Sequence, residues 1–304
     1  MQETTFASHI SLSHAIAYDL LQAFEVSPHF VPYLLSEPDY AAPSIFHTYD
    51  DNGHLCRQEF ICQHPRWDIH TKMQPCSVYM SHRSQTAITT YIGVSGQGDS
   101  CIEICKSRLQ DALCQQRPGQ APLEQGIDPF LLHNIIAQES FLQSKSVITK
   151  LRFRLYDQLD KVDAYGKGEE IVDRAALKAL TNELHLISQD ADSLVAGAEM
   201  GTMITERMYE AHTTLKMSAE FRLQRHFVQV GDSLAHLVHS LQARRRWILS
   251  YKSRKDIAMN LVSQSRTIIH NLSCLTDSPG KIGVQLSNPT RQRNQHGNSA
   301  RYQK

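Results

Sequence analysis

The sequence predicts an α+β protein dominated by helices: a small N-terminal mixed α/β domain with short strands, then long, antiparallel, stalk-like helices. Two observations predict this class. Strand-forming residues and turn signals concentrate between residues 45 and 105, whereas apolar residues recur at helical spacing from about residue 173 to residue 275. The predicted organisation is a mixed domain (residues 1–115), a linker (116–128), a helical stalk or bundle (129–276) and a disordered basic tail (277–304).

The N-terminal part is predicted to hold one interrupted helix and several short strands. Residues 14–36 form the helix, which Pro28 and Pro32 interrupt, and its apolar face consists of Ile16, Leu20, Leu21 and Phe24. Valine, isoleucine, threonine and tyrosine then concentrate in runs that favour strands. The predicted strands are residues 58–63, 76–80, 86–94 and 101–105, with turns at residues 51–53 and 96–98.

A helix is predicted to begin at Asp128-Pro129, with Asp128 as its N-cap and Pro129 in the first turn. Its apolar residues continue to about Val162, and the residues 166–168 turn the chain. Asp173 is the expected cap of the helix that follows.

An apolar seam organises the second half of the chain. From Leu177 to Ala198 apolar residues step by three and four positions; after Gly201 the phase slips by about one residue and resumes to Leu215. At a rise of about 1.5 Å per residue such a helix is roughly 60 Å long. A second apolar pattern follows from Leu234 to Leu275. Helices of this length are expected to pack on one another and on further copies of the chain.

Charge and cysteine content narrow the class of protein. Residues 1–219 carry 17 basic and 27 acidic side chains, a net charge of −10, and residues 220–304 carry 14 and 4, a net charge of +10. The seven cysteines lack framework spacing, and the first residues do not form a signal peptide. We expect a reduced, cytoplasmic chain, with attachment to a membrane surface as an open alternative. No run of about 20 apolar residues predicts a membrane span.

The basic half contains a cluster of cations with two interleaved aromatic residues, Trp247 and Tyr251. The basic cluster is Arg244, Arg245, Arg246, Lys252, Arg254 and Lys255. Such a cluster is compatible with an anionic partner, either a membrane surface or a nucleic acid, although no specific nucleic-acid motif is present. The alternative is a solvated helix face paired with acidic residues on the preceding helix, such as Glu199, Glu206 and Glu210.

Two further groups contain residue types that bind metals. Asp157, Asp160 and Asp163 follow one another at helical spacing and are candidate ligands of a hard cation, with ordinary helix solubility as the alternative. A scatter of thiols and imidazoles, Cys56, Cys62, His64, His70, Cys76 and His82, has zinc-compatible ligand types but lacks the close pairs of readable zinc sites. Buried thiols and surface histidines are the favoured interpretation of this scatter.

No catalytic arrangement is evident. The chain has no readable Ser/His/Asp set, P-loop, dinucleotide fingerprint or nucleophile elbow, and we do not expect an enzyme.

Several short segments resemble fungal proteins with a CorA-like magnesium transporter domain. The segments are residues 128–133, 155–160, 177–185, 240–246 and 260–264, with weaker similarity at residues 24–30 and 77–79. The resemblance implies a cytosolic domain with a short-stranded sheet and long stalk helices, assembly into homo-oligomers, association with a membrane or a transmembrane relative, and Mg²⁺ as a ligand.

The chain departs from that family at the pore. The only triplet similar to the family's Gly-Met-Asn signature is Ala258-Met259-Asn260, which lies inside an amphipathic pattern and is interpreted as structural, and a polar tail follows residue 275. We therefore expect a soluble CorA-like domain that acts as an oligomerising or regulatory module and does not itself conduct ions. The alternative is a helical scaffold that binds an anionic partner through its basic helix.

Overall fold

A computed structural model describes residues 12–34, 42–65, 67–68, 76–95, 100–114, 127–167, 174–217 and 225–276. The chain divides into a compact unit, residues 1–262, and a second unit, residues 263–304. Within the second unit the structure describes a helical segment over residues 263–276. The predicted disordered tail, the 116–126 part of the predicted linker, the turn at 96–98 and the predicted cap Asp173 lie outside the described residues.

Two short helices precede the sheet, and they correct the predicted single helix. Helix α1 is His14–Ala23, a 3₁₀ turn follows at Pro28–Phe30, and α2 is Val31–Leu34. Ser13 caps α1, since its hydroxyl accepts a hydrogen bond from the Ile16 amide at 3.3 Å. Of the apolar residues predicted on one side of this helix, Leu20 and Leu21 are half-buried, whereas Ile16 and Phe24 have exposed fractions of 55% and 45%.

A four-stranded antiparallel sheet follows in the order β1-β2-β3-β4. Its strands are β1 (Ser44–Tyr49), β2 (Leu55–His64), β3 (Cys76–Arg83) and β4 (Ile88–Val94). Each strand pairs with its neighbour in sequence, with His64 opposite Cys76 and Cys62 opposite Val78. Gly53, with a φ of +79°, forms the turn between β1 and β2, as the sequence predicts.

The sheet buries both of its faces, because alternate residues of a strand point to opposite sides. Phe60, Cys62, Val78 and Met80 belong to the main core with residues of the long helices. Ile61 and Tyr79 pack on the other side against Phe30, Tyr33 and Leu34 from the turn before α2 and from α2 itself. The sheet is therefore held between the short N-terminal helices and the long helices.

Helix α3 (Ser100–Cys114) replaces a predicted strand. The sequence predicts a strand at residues 101–105 because isoleucine favours β-structure. The spacing of four residues between Cys101 and Cys105 instead places both thiols on one side of a helix, and both are buried in the main core.

Three long helices form the remainder: α4 (Leu131–Lys167), α5 (Arg174–Met217) and α6 (Arg225–Thr276). The predicted start at Asp128-Pro129 is too early, because α4 begins at Leu131; Asp128 lies in the turn before the helix, where its carboxylate accepts from the Phe130 amide at 2.7 Å. The helix continues to Lys167 rather than ending near Val162. Cross-helix pairs of α5 with α4 and α6, such as Arg154–Glu183 at 2.8 Å and Arg245–Glu199 at 2.7 Å, show that α5 runs antiparallel to both.

The predicted seam of α5 is confirmed as its buried face, which includes Leu177, Leu184, Ala191, Ala198, Met208 and Leu215. The helix continues through the phase slip. At that point two glycines allow close packing: a Cβ at Gly197 would lie 3.2 Å from the Trp67 ring, and one at Gly201 would lie 3.3 Å from Leu241. Trp67 also donates a hydrogen bond to Ser140 of α4 at 2.9 Å. The glycines thus allow the segment after β2 to pack tightly on the long helices.

Among the described residues, no helix combines the length and the apolar character that crossing a bilayer requires.

Candidate functional site

The long helices and the sheet enclose a group of side chains that we call the thiol–imidazole cluster: Cys62 and His64 of β2 and His133 of α4. The Cys62 sulfur lies 3.6 Å from Nε2 of His64 and 3.9 Å from Nδ1 of His133. One candidate ligand atom from each residue lies within 4.8 Å of those of the other two, and all three residues are buried. The cluster therefore joins one strand of the sheet to the first turn of α4.

Local structure places each member. Cys62 and His64 are two residues apart in a strand, so their side chains lie on the same sheet face. His133 belongs to the first turn of α4, directly after the turn that the Asp128 carboxylate stabilises by accepting from the Phe130 amide. Its imidazole lies among aromatic rings, with centroid distances of 5.0 Å to Phe60 and 5.6 Å to Tyr91.

Burial sets the protonation of the cluster. Burial lowers the pKa of His64 to about 4 and lowers that of His133 well below its usual value, with a smaller contribution from His64. Burial also raises the pKa of the Cys62 thiol, and the nearby Cys76 thiol adds to this rise. At neutral pH the cluster thus holds two neutral imidazoles and a protonated thiol.

The sequence prediction found part of this cluster. Cys62 is buried as expected, but the interpretation of the histidines as surface residues is wrong for His64 and His82, which are both buried. His70 lies outside the described residues, and Cys56 is not a member of the cluster. The sequence analysis missed His133, which is 71 residues from Cys62.

A second buried polar contact lies near the same end of the helices. His212 Nε2 of α5 and the Asp128 carboxylate are 2.9 Å apart, and the His212 ring stacks on Phe227 of α6 at 3.8 Å. A Cβ at Gly231 would lie 3.2 Å from the imidazole. This contact ties the start of α4 to α5 and α6 and has the partners that a buried polar pair needs.

The basic cluster is largely engaged with the neighbouring helices. The Arg244 guanidinium lies 3.5 Å above the Phe141 ring and donates to the Phe141 carbonyl and the Ser144 hydroxyl of α4. Burial lowers the pKa of Arg244 to about 10. Arg245 pairs with Glu199 at 2.7 Å and Lys252 with Asp192 at 2.5 Å, both on α5.

The other three cations of the basic cluster, Arg246, Arg254 and Lys255, have different surroundings. Arg254 donates to the Tyr156 hydroxyl at 3.1 Å, the buried Lys255 pairs with Asp256, and Arg246 is exposed. The geometry favours the alternative of a face paired within the protein. Anion binding through these residues stays a prediction.

The acidic candidates lie on the outer side of α4. Asp157, Asp160 and Asp163 are exposed, and Asp157 pairs with Lys161 at 2.9 Å, which together with Gln158 lowers the pKa of its carboxyl group. The described residues contain one group of three or more close metal-binding side chains, the thiol–imidazole cluster, and the three aspartates do not form another. Cation binding by them stays a prediction.

Large apolar side chains are exposed on α4 and on α6. Leu142 and Phe153 are separated by 11 residues and so lie on one side of α4, with Tyr156 close by. Trp247 and Ile257 lie on α6, and the contact between Arg254 and Tyr156 joins the two helices at this place. The exposed fractions of Phe153, Trp247 and Ile257 are 60%, 60% and 59%. We call these five residues the apolar surface.

Comparison with known proteins gives similarity to solved structures. No family model matches the chain, and no curated protein matches it. The chain is similar to the cytoplasmic domain of ZntB from Vibrio parahaemolyticus, with a TM-score of 0.49 and 14% identity over 88% of this chain and 93% of that one.

Two further structures are similar. One is the complete CorA magnesium transporter of Methanocaldococcus jannaschii, with a TM-score of 0.45 and 13% identity over 87% of this chain and 72% of that one. The other is full-length CmaX, with a TM-score of 0.48 and 13% identity over 90% of this chain and 77% of that one.

Proposed function

We propose that this chain is a CorA-like assembly module, which associates with a second copy of itself through the apolar surface and serves a metal-ion transport system as a regulatory component. The observation that carries the proposal is the apolar surface, because large apolar residues exposed on the outside of long helices are candidates for an interface. The short segments that resemble the CorA-like domain support the same role, as does a small sheet followed by three long helices.

The charges near the apolar surface favour a second copy of the chain as the partner that binds there. Near the apolar surface, α4 presents the exposed Asp160 and α6 presents the exposed Arg246. In a two-fold symmetric pair the same patch of both copies is buried, so α4 of one copy can face α6 of the other. Such a pair brings acidic side chains of one copy toward basic side chains of the other.

The test is sedimentation velocity of the purified chain over a range of concentrations. We expect a concentration-dependent dimer or larger assembly, and we expect the double variant Trp247→Gln/Ile257→Gln to weaken association at least tenfold, about 1.4 kcal/mol, because it removes two exposed apolar anchors.

The matched control is Leu186→Gln/Met203→Gln, which removes two apolar residues of α5 with exposed fractions of 48% and 41%. This control is expected to associate as the wild-type chain does. A chain that stays monomeric at the highest concentration, or an equal loss in both double variants, would refute assembly through the apolar surface.

The regulatory part of the proposal concerns Mg²⁺, the ion that the resemblance implies. Asp157 and Asp160 follow Phe153 and Tyr156 by four residues and are therefore their neighbours on α4. A cation bound there would reduce the negative charge beside the apolar surface. We expect Mg²⁺ to shift the association equilibrium and Asp157→Asn/Asp160→Asn to abolish that shift. Identical sedimentation in Mg²⁺ and in EDTA would remove this part.

A further inference from the structure

The geometry of the thiol–imidazole cluster can be compared with that of a metal site. Tetrahedral zinc has Zn–S distances of about 2.3 Å and Zn–N distances of about 2.0–2.1 Å, so neighbouring sulfur and nitrogen ligands lie about 3.5 Å apart. The Cys62 sulfur and His64 Nε2 are 3.6 Å apart, and the sulfur and His133 Nδ1 are 3.9 Å apart. Only small side-chain shifts would bring all three atoms onto one ion.

A hydrogen-bonded core is the alternative explanation, and it accounts for the cluster less well. A thiol is both a weak donor and a weak acceptor, so Cys62 offers the two imidazoles only weak hydrogen bonds. Polar groups in an apolar core are costly unless they are paired. A metal ion would use all three ligand atoms together.

Charge and register point to a fourth ligand. One thiolate and two neutral imidazoles would leave a divalent ion with a net charge of +1 in an apolar core, which is unfavourable. Cys76 of β3 lies directly opposite His64 of β2, so both side chains are on the same sheet face. The Cys76 thiol lies outside the group whose ligand atoms are within 4.8 Å of one another, so a side-chain movement would bring it to the ion. A second thiolate makes the site neutral and gives the Cys₂His₂ set of structural zinc sites.

A neutral imidazole binds a metal ion through its lone pair, whereas cysteine binds it as the thiolate. Binding would then displace one proton from each thiol, two for each ion bound.

We propose that Cys62, His64, His133 and Cys76 bind one divalent cation of the thiophilic class represented by Zn²⁺, and that the ion fastens β2 and β3 to the first turn of α4. The proposal does not depend on self-association. The first three ligands carry it by their geometry, and Cys76 completes it by its place in the register.

The test uses the full chain, purified under reducing conditions and stripped of metal. Titration with Co²⁺ is expected to give one bound ion per chain, with thiolate-to-cobalt charge-transfer absorption and the visible bands of tetrahedral Co²⁺, both displaced by Zn²⁺. The variants Cys62→Ser and His133→Gln are each expected to lower the affinity at least about tenfold. Cys76→Ser is expected to lower the charge-transfer intensity by about half, because one of two thiolates is lost.

Two matched controls lie in the same strands but outside the cluster. Cys56→Ser changes a thiol of β2, and His82→Gln changes a buried imidazole of β3. Both are expected to bind Co²⁺ as the wild-type chain does. A loss in these controls equal to that in Cys62→Ser, or an absence of charge-transfer absorption in the wild-type chain, would overturn the proposal.

Circular dichroism would reveal a variant that fails to fold. X-ray absorption of the zinc-loaded wild-type chain needs no variant, because it identifies the ligand atoms directly. A first shell of two sulfur and two nitrogen atoms is the expected result. A shell of oxygen and nitrogen without sulfur would overturn the site, and a single sulfur would overturn the assignment of Cys76.

Discussion

In the thiol–imidazole cluster three side chains from two elements of the fold turn toward one point, whereas the cations of the basic cluster turn toward different partners. Cys62, His64 and His133 share one buried space. Arg244, Arg245 and Lys252 instead contact Phe141, Glu199 and Asp192 on two other helices. The basic cluster is the denser group in the sequence and the more dispersed one in space. Residue type and proximity in the chain thus say little about a site until the fold shows which atoms converge.

The largest expected effect is an acid-induced loss of stability caused by His82, a buried histidine outside the thiol–imidazole cluster. Burial lowers the pKa of His82 to about 4 in the folded protein, against about 6.5 in the unfolded chain. Below pH 6.5 the unfolded chain binds a proton at His82 that the folded protein does not bind until about pH 4. The free energy of unfolding should therefore fall by up to about 3 kcal/mol between pH 6.5 and 4 because of this residue.

Urea unfolding at pH 7 and pH 4.5 measures this effect, and His82→Gln is expected to be less sensitive to acid than the wild-type chain. An identical acid dependence in the variant and the wild-type chain would contradict the assignment.

The next largest effect is a difference in stability between variants at a packed and at an exposed position of the basic cluster. Arg244→Met should lower the free energy of unfolding by about 2 kcal/mol, because the guanidinium packs on the Phe141 ring and hydrogen bonds to α4. Arg246→Met, at an exposed position, should change it by no more than about 0.5 kcal/mol. Equal losses in the two variants, measured by urea unfolding, would show that Arg244 is not held as described.

The smallest effect concerns the ion pairs between α5 and α6. A double-mutant cycle on Arg245→Gln and Glu199→Gln should give a coupling of about 0.5 kcal/mol, because both side chains are partly exposed. The coupling should shrink in 1 M salt, where the screening length is only about 3 Å. If Arg245 instead serves an anionic partner, the coupling will be absent while binding to heparin falls in Arg245→Gln.

The helical part of the fold could be predicted because its signal is periodic and local. The three-and-four spacing from Leu177 to Ala198 sufficed to place the buried face of α5. The prediction of a strand at residues 101–105 was wrong because it followed the strand preference of single residues. The four-residue spacing of Cys101 and Cys105, which is typical of one side of a helix, was given less weight. The apolar pattern of α1 did not show which of its residues another element covers, and Ile16 and Phe24 are exposed.

The cluster could be predicted only in part, for a physical reason. The spacing of Cys62 and His64 in a strand is a local signal that both side chains share one face. His133 reaches them because the sheet packs on the start of α4, a contact over 71 residues that no local pattern contains. The closeness of the ligand atoms is therefore a property of packing.

The two tryptophans of the chain occupy opposite environments, which makes the protein its own optical reporter. Trp67 packs against Gly197 and Gly201 of α5 with an exposed fraction of 5%, and Trp247 lies on the apolar surface with an exposed fraction of 60%. The emission of Trp67 should be blue-shifted and protected from acrylamide, while that of Trp247 should be red-shifted and readily quenched until a second copy covers it. In the Trp247→Phe variant, the remaining fluorescence would report loosening of the contact between Trp67 and the long helices.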